Sequence, residues 1–151
     1  MRLSSKARYG LSALICLACD YDSPEPTTVV SLSTKLGISK IYLEQVFTQI
    51  KKAQLVTATK GFNGGYRLAH APRAISVYDI LAALETALIE KTKDTVVQAQ
   101  GQQASHLEAT LQQSVYAPLD EAVQRVLGDI SLEDLAERFR SGETDEPMYY
   151  L

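Results

Sequence analysis

Between Thr28 and Ala69 the hydrophobic period of the chain changes from helical to alternating, and that succession leaves few folds open. A short helix is predicted from about Thr28 to Leu36. Gly37 follows, where a helix end favours the left-handed conformation. Ser39 can then cap a second helix, its hydroxyl oxygen accepting an orphan backbone N–H. In SKIYLEQVFTQIKKAQ, Leu43, Val46, Phe47 and Ile50 recur at i, i+3, i+4, i+7 and face a core. Tyr42, Gln45, Gln49 and Lys52 fall on the opposite, exposed side. Leu55–Lys60 is rich in Val and Thr and reads as a strand. Tyr66–Ala69 can pair with it across a turn containing Asn63-Gly64, the strongest short hairpin signal. Helix, glycine turn, amphipathic helix and Gly-rich hairpin together describe a winged helix-turn-helix.

The flanks fit that centre. Residues 4–20 read as a helix with Ala7, Leu11, Leu14, Ile15 and Ala18 on one stripe, and the prolines of YDSPEPT end it. After AHAPRA, Ser76-Val77-Tyr78-Asp79 is a capping box opening a helix whose buried face is Ile80, Leu81, Leu84 and Leu88. Residues 91–104 are polar and Gln-rich, a mobile connection. A longer helical stretch follows from about Ser105 to Leu127, carrying Leu107, Leu111, Val115, Leu119, Val123, Val126 and Leu127. Pro118 should kink or split it. Such an apolar helix either pairs with a second subunit or packs back on its own domain. SLEDLAERF, 131–139, is a last capped helix before an acidic linker and the terminal MYYL. The expected class is therefore mainly α with a small β-hairpin wing, plus a long C-terminal dimerisation helix. The expected organisation is a winged helix-turn-helix over 1–73, a helical dimerisation region over 74–140 and a flexible acidic tail over 141–151.

Composition narrows the functions. The chain of 151 residues is the size of one ordinary domain, or a small one with an arm, and 46% of it is apolar, enough to bury a core. No apolar run approaches the ~18 residues of a membrane span. MRLSSKARYG lacks the continuous apolar stretch of a secretory leader, and two cysteines make no disulfide framework. These features read as soluble, intracellular and cytoplasmic. The net charge of -3 hides a split: residues 1–73 carry ten Lys/Arg against four Asp/Glu, and 74–151 carry five against fourteen. The basic half keeps a nucleic-acid partner open despite the acidic whole.

KGFNGGYRLA could be mistaken for a phosphate-cradling loop. Its lysine precedes the glycines, and the loop joins two strands rather than opening a helix, so it is no P-loop. The only histidines, His70 and His106, are linked by no sequence signal to a nucleophile or carboxylate pair. No enzyme is expected. Nucleic-acid binding fits better. The exposed face of the second helix can enter a major groove, where Gln45 can bond adenine edges and Glu44 can accept from a cytosine amine. Arg2, Lys6, Arg8, Lys40, Lys51, Lys52, Lys60 and Arg67 are available to phosphates. The glycines would let the wing turn sharply and approach a DNA backbone.

MRLSSKARYGLSAL, LGISKIYLEQVF, KGFNGGYRLA and ISVYDILAALE, in that order over residues 1–90, resemble the winged-helix regulator family that contains the repressors IscR and CymR. The resemblance implies a homodimer whose long helices cross at the interface, with base reading by the second helix and minor-groove insertion by the wing. Ser39, Tyr42 and Glu44 fall on contacting positions of that helix. Ile41 stands where IscR has a serine, and Lys60 replaces a wing arginine. Cluster-bearing relatives place three cysteines six residues apart, ahead of a histidine. Here His106 holds the histidine position, while Gln103, Val97 and Lys91 hold the others, so no iron–sulphur cluster or other cofactor is expected. Cys16 and Cys19, three apart on the first helix, are small core-flanking thiols or a redox pair, and with no further ligands are weak evidence for metal.

The tail residues Met148, Tyr149, Tyr150 and Leu151 are unusually apolar for a terminus. They pack on the chain's own dimer or dock on a partner. The resemblance to CymR-like members implies cysteine synthase as that partner, and control of cysteine or sulphur metabolism through a palindromic operator. Two alternatives stand beside this. One is a thiol- or ligand-sensing repressor of other genes; the other is an interaction module presenting its tail peptide to a metabolic enzyme.

Overall fold

The computed structural model describes residues 2–61, 64–90 and 101–145. The Asn63 half of the expected turn, most of the connection expected over 91–104, and the MYYL tail lie outside these residues. Helix α1 (Ser5–Cys19) starts from Ser4, whose hydroxyl oxygen accepts the Ala7 N–H, and ends before the proline-containing loop. Its buried surface is wider than one stripe: Ala7, Gly10, Ala13, Leu14, Cys16, Leu17 and Ala18 are all enclosed. Helix α2 (Val29–Leu36) is capped by Thr28 and closed by Gly37 at φ 66°, and α3 (Lys40–Lys52) is capped by Ser39. Both expected helices and the glycine between them are present.

The wing is the antiparallel pair β1 (Val56–Thr59) and β2 (Gly65–Leu68), with Val56 opposite Leu68 and Thr59 opposite Gly65. Thr27 adds a single bridge to its far edge, exchanging both backbone hydrogen bonds with Tyr66 at 3.0 and 2.8 Å. A 3₁₀ turn (Pro72–Ala74) leads to α4 (Val77–Leu84) and the short α5 (Thr86–Ile89). One buried cluster joins Leu14, Leu32, Phe47, Ile50, Ile80 and Leu81 to Leu132 and Ala136 of α8 (Leu132–Asp145). The core beneath the wing and α3 thus includes the last helix as well as the first three.

Helices α4 and α8 begin side by side. Ser76 and Asp79 exchange side chain-to-backbone hydrogen bonds, and Ser131 and Asp134 repeat the arrangement, each bond 2.9–3.1 Å long. The two starts are bridged to each other: Val77 N–H donates to Ile130 O and Leu132 N–H to Ile75 O. Each box satisfies orphan donors that the helix start would otherwise leave unpaired.

Between these roots runs the long C-terminal helix. It comprises α6 (Gln102–Leu111), a π-helical turn (Gln112–Tyr116) and α7 (Ala117–Gly128). Pro118 neither splits it nor leaves it regular. Proline has no N–H to give and its ring crowds the carbonyl four residues back. The turn ahead of it is widened instead, with Ala117 N–H reaching Gln112 O, five residues away. Helix α7 lies along α4 and α5, with Val123 facing Leu88 and Ile89. Its other side leaves Leu119 and Val126 exposed, continuing a stripe with Leu107, Leu111 and Val115.

Candidate nucleic-acid interface

Helix α3 is fixed from beneath. Leu43, Val46, Phe47 and Ile50 are each at most 1% exposed, so α3 cannot roll about its axis without emptying the core. Its approach is set by the turn before it. Ser33 donates its hydroxyl to Ile38 O at 2.6 Å, Gly37 N–H closes on Ser33 O, and Gly37 has nothing within 4 Å of a would-be Cβ. Only its positive φ requires glycine there. Ser39 accepts the Tyr42 N–H at 3.2 Å, which uses an oxygen lone pair and leaves the hydroxyl proton to donate outward.

Lys40, Glu44 and Gln45 are exposed on α3, as expected. Tyr42 is half-buried instead, because Tyr9 of α1 meets it edge to face with ring centroids 5.7 Å apart. Lys6 is half-buried on α1. Between α3, the start of α2 and the wing lies a groove to which Thr28, Lys40, Glu44, Lys51, Lys60 and Tyr66 contribute. Three lysines and one carboxylate give it a positive balance, which suits a phosphate backbone.

The wing is clamped to α3 by an aromatic stack. Tyr66 lies over Phe47 at 4.3 Å between centroids and 15° between planes. Burial, and after it the negative Glu44, push the Tyr66 phenol above its usual 10.0. Gly64 and Gly65 of the wing serve the protein's own packing. A Cβ on Gly64 would meet Thr59 O at 2.5 Å and Gly61 O at 2.8 Å, and one on Gly65 would strike the Thr27 carbonyl. Arg67 points the other way, its guanidinium donating to Ser23 O at 2.9 Å and to Pro24 O. It ties the wing to the loop after α1, so the structure does not bring it into the groove with Lys60. The long separations, 44 and 43 residues, left no local signal of that tie. Sequence reasoning also passed over Val30, 59% exposed in the first turn of α2.

Cys16 is buried in the core and Cys19 is half-buried beside it, both as thiols. His106 is exposed on α6. Among the described residues no group of three or more His, Cys, Asp or Glu could hold a metal ion, and none of their helices is long and apolar enough to cross a membrane.

Comparison with known proteins gives this geometry its context. The model of the Rrf2 family, described as "Iron-dependent Transcriptional regulator", matches residues 3–138. The regulator CymR of Bacillus subtilis is 32% identical over the whole of both chains. IscR of Vibrio cholerae is 39% identical over 93 residues, which is 62% of this chain and 53% of that one. The solved structure of B. subtilis CymR, titled "the Global Cysteine Regulator", matches with a TM-score of 0.71 and 30% identity over 91% of this chain and 98% of that one. These relatives are named as transcriptional regulators, not enzymes. The family description mentions iron, but the donor set does not fit an iron–sulphur cluster. The whole sequence holds two cysteines, both on α1, and one of them is enclosed in the core.

Proposed function

Because the chain belongs to the Rrf2 family of transcriptional regulators, we propose that it is a homodimeric repressor of the cytoplasm that binds a palindromic DNA operator without an iron–sulphur cluster. The observation that carries this is the lysine-lined groove joining the exposed side of α3 to the wing. Helix α3 enters the major groove with its first turns on base edges, where Ser39, Glu44 and Gln45 read. Lys40, Lys51 and Lys60 neutralise phosphates, with Lys6 flanking them, and supply the salt-dependent part of the affinity. Tyr42 serves by setting the α1–α3 contact, and Arg67 by holding the wing in place.

The outer stripe of α6 and α7 supports the dimer. Leu107 is 59% and Leu119 56% exposed, an apolar surface that a second copy of the same helix would cover. Full-length likeness to CymR favours cysteine or sulphur metabolism as the regulated process. On that reading Met148, Tyr149, Tyr150 and Leu151 dock on cysteine synthase, and deleting them abolishes that complex while leaving operator binding intact.

Selection of bound sequences from a random duplex pool tests the main reading. It should return an inverted repeat with half-site centres roughly 34–36 Å, or a multiple, apart. A pool that enriches no motif sinks the repressor.

A further inference from the structure

Ile41 is 71% exposed, more than any other large apolar side chain among the described residues. It is the second residue of α3, one step past Lys40 and two past the cap at Ser39. With Glu44, Gln45 and Thr48 it shares the i, i+3, i+4, i+7 spacing, and all four are exposed. A single large hydrocarbon thus stands at the leading end of a face that is otherwise polar. Among the described residues nothing covers it, and the core residues Leu43, Val46, Phe47 and Ile50 hold the helix so that it cannot turn inward.

In a B-form major groove the base edges are donors and acceptors with one apolar exception, the 5-methyl group of thymine. We infer that Ile41 is a specificity-determining residue of the proposed regulator, reading a thymine methyl in each operator half-site through its branched side chain. The inference rests on the DNA-binding reading and adds to it a base identity at one position. Neighbouring Glu44 and Gln45 read by hydrogen bonds, so Ile41 supplies the one contact there whose strength depends on a methyl group rather than on a polar edge.

The probe is the selected operator with thymines replaced one at a time by deoxyuridine, which removes the methyl and leaves every hydrogen-bonding group. Removing one buried methyl should weaken wild-type binding about fourfold at a single position of the half-site. Ile41→Ser should bind thymine and deoxyuridine operators alike, with a melting temperature like that of wild type because the residue is at the surface. Ile41→Val, which keeps a branched apolar contact, should retain the discrimination. If no single replacement weakens the wild type, or if Ile41→Ser discriminates as wild type does, Ile41 does not read thymine although the protein still selects its operator. A random pool that enriches nothing takes down the DNA-binding reading, and this inference with it.

Discussion

Tyr66 of the wing lies flat on Phe47 of α3, 4.3 Å between ring centroids and 15° between planes. Phe47 is fully buried, so the stack couples the wing to the core through the helix that presents Lys40, Glu44 and Gln45. Wing and helix are therefore held as one surface. Tyr66→Ala should destabilise the fold by about 2–3 kcal/mol, read by chemical denaturation. It should also weaken operator binding beyond the unfolded fraction, whereas Tyr66→Phe should keep both.

The closeness of Thr27 to the wing makes Gly65 irreplaceable. A Cβ there would run into the Thr27 carbonyl, a backbone group that cannot swing aside. Gly65→Ala should break the Thr27–Tyr66 bridge and cost about 1–3 kcal/mol. Gly128→Ala, with open space around it, should be neutral or stabilising, both variants being read by thermal melting.

Gln54 adopts φ 62° where α3 hands over to the wing, the one non-glycine residue with positive φ among those described. The left-handed region strains any side chain with a Cβ, so Gln54→Gly should gain about 0.5–1 kcal/mol and raise the denaturation midpoint.

Hydrogen bonds from the Ser131 backbone and then its side chain hold the Asp134 carboxyl below its ordinary value. A depressed folded-state value means stability present above the unfolded pKa and lost as pH falls through the folded one. Acid titration of wild type should show this loss below the ordinary carboxylate range. Asp134→Asn should flatten that part of the stability curve, because the amide does not titrate.

The outer stripe of the long helix should hold two copies together. Leu119→Asp places a charge in its middle and should convert the dimer to monomer in sedimentation velocity, with the α1–α4 core still folded by circular dichroism.

Much of this was legible where the signal is local. Ser39, Ser76 and Ser131 announce their helices because a cap and its partner lie three residues apart. Gly37 marks a left-handed turn, and the apolar spacing of α3 gives its buried face. The Tyr9–Tyr42 contact, the Tyr66–Phe47 stack and the Arg67 tie join residues far apart in the chain, and no short window encodes them. Gly64 and Gly65 of the wing illustrate the limit. Their presence was readable as a tight turn, but that Gly65 makes room for Thr27 depends on a third segment arriving from the far side. Ile41 stood out only through the family resemblance, where a serine is replaced, and its exposure on a fixed helix turns it into a candidate for base recognition.

The π turn ahead of Pro118 has a consequence for the whole outer stripe. In a regular α-helix a four-residue spacing drifts by about 40° per step, so Leu107, Leu111, Val115 and Leu119 would wind about 120° around the axis. A π turn holds more residues and takes back part of that angle midway along the stripe. Proline thereby acts as a phase correction, returning the two halves of the stripe toward a common azimuth. Deleting one residue ahead of Val115 would put the four side chains at spacings of four, three and four, which a regular α-helix keeps within about 60° of one another, so the π turn offsets one extra residue in the stripe.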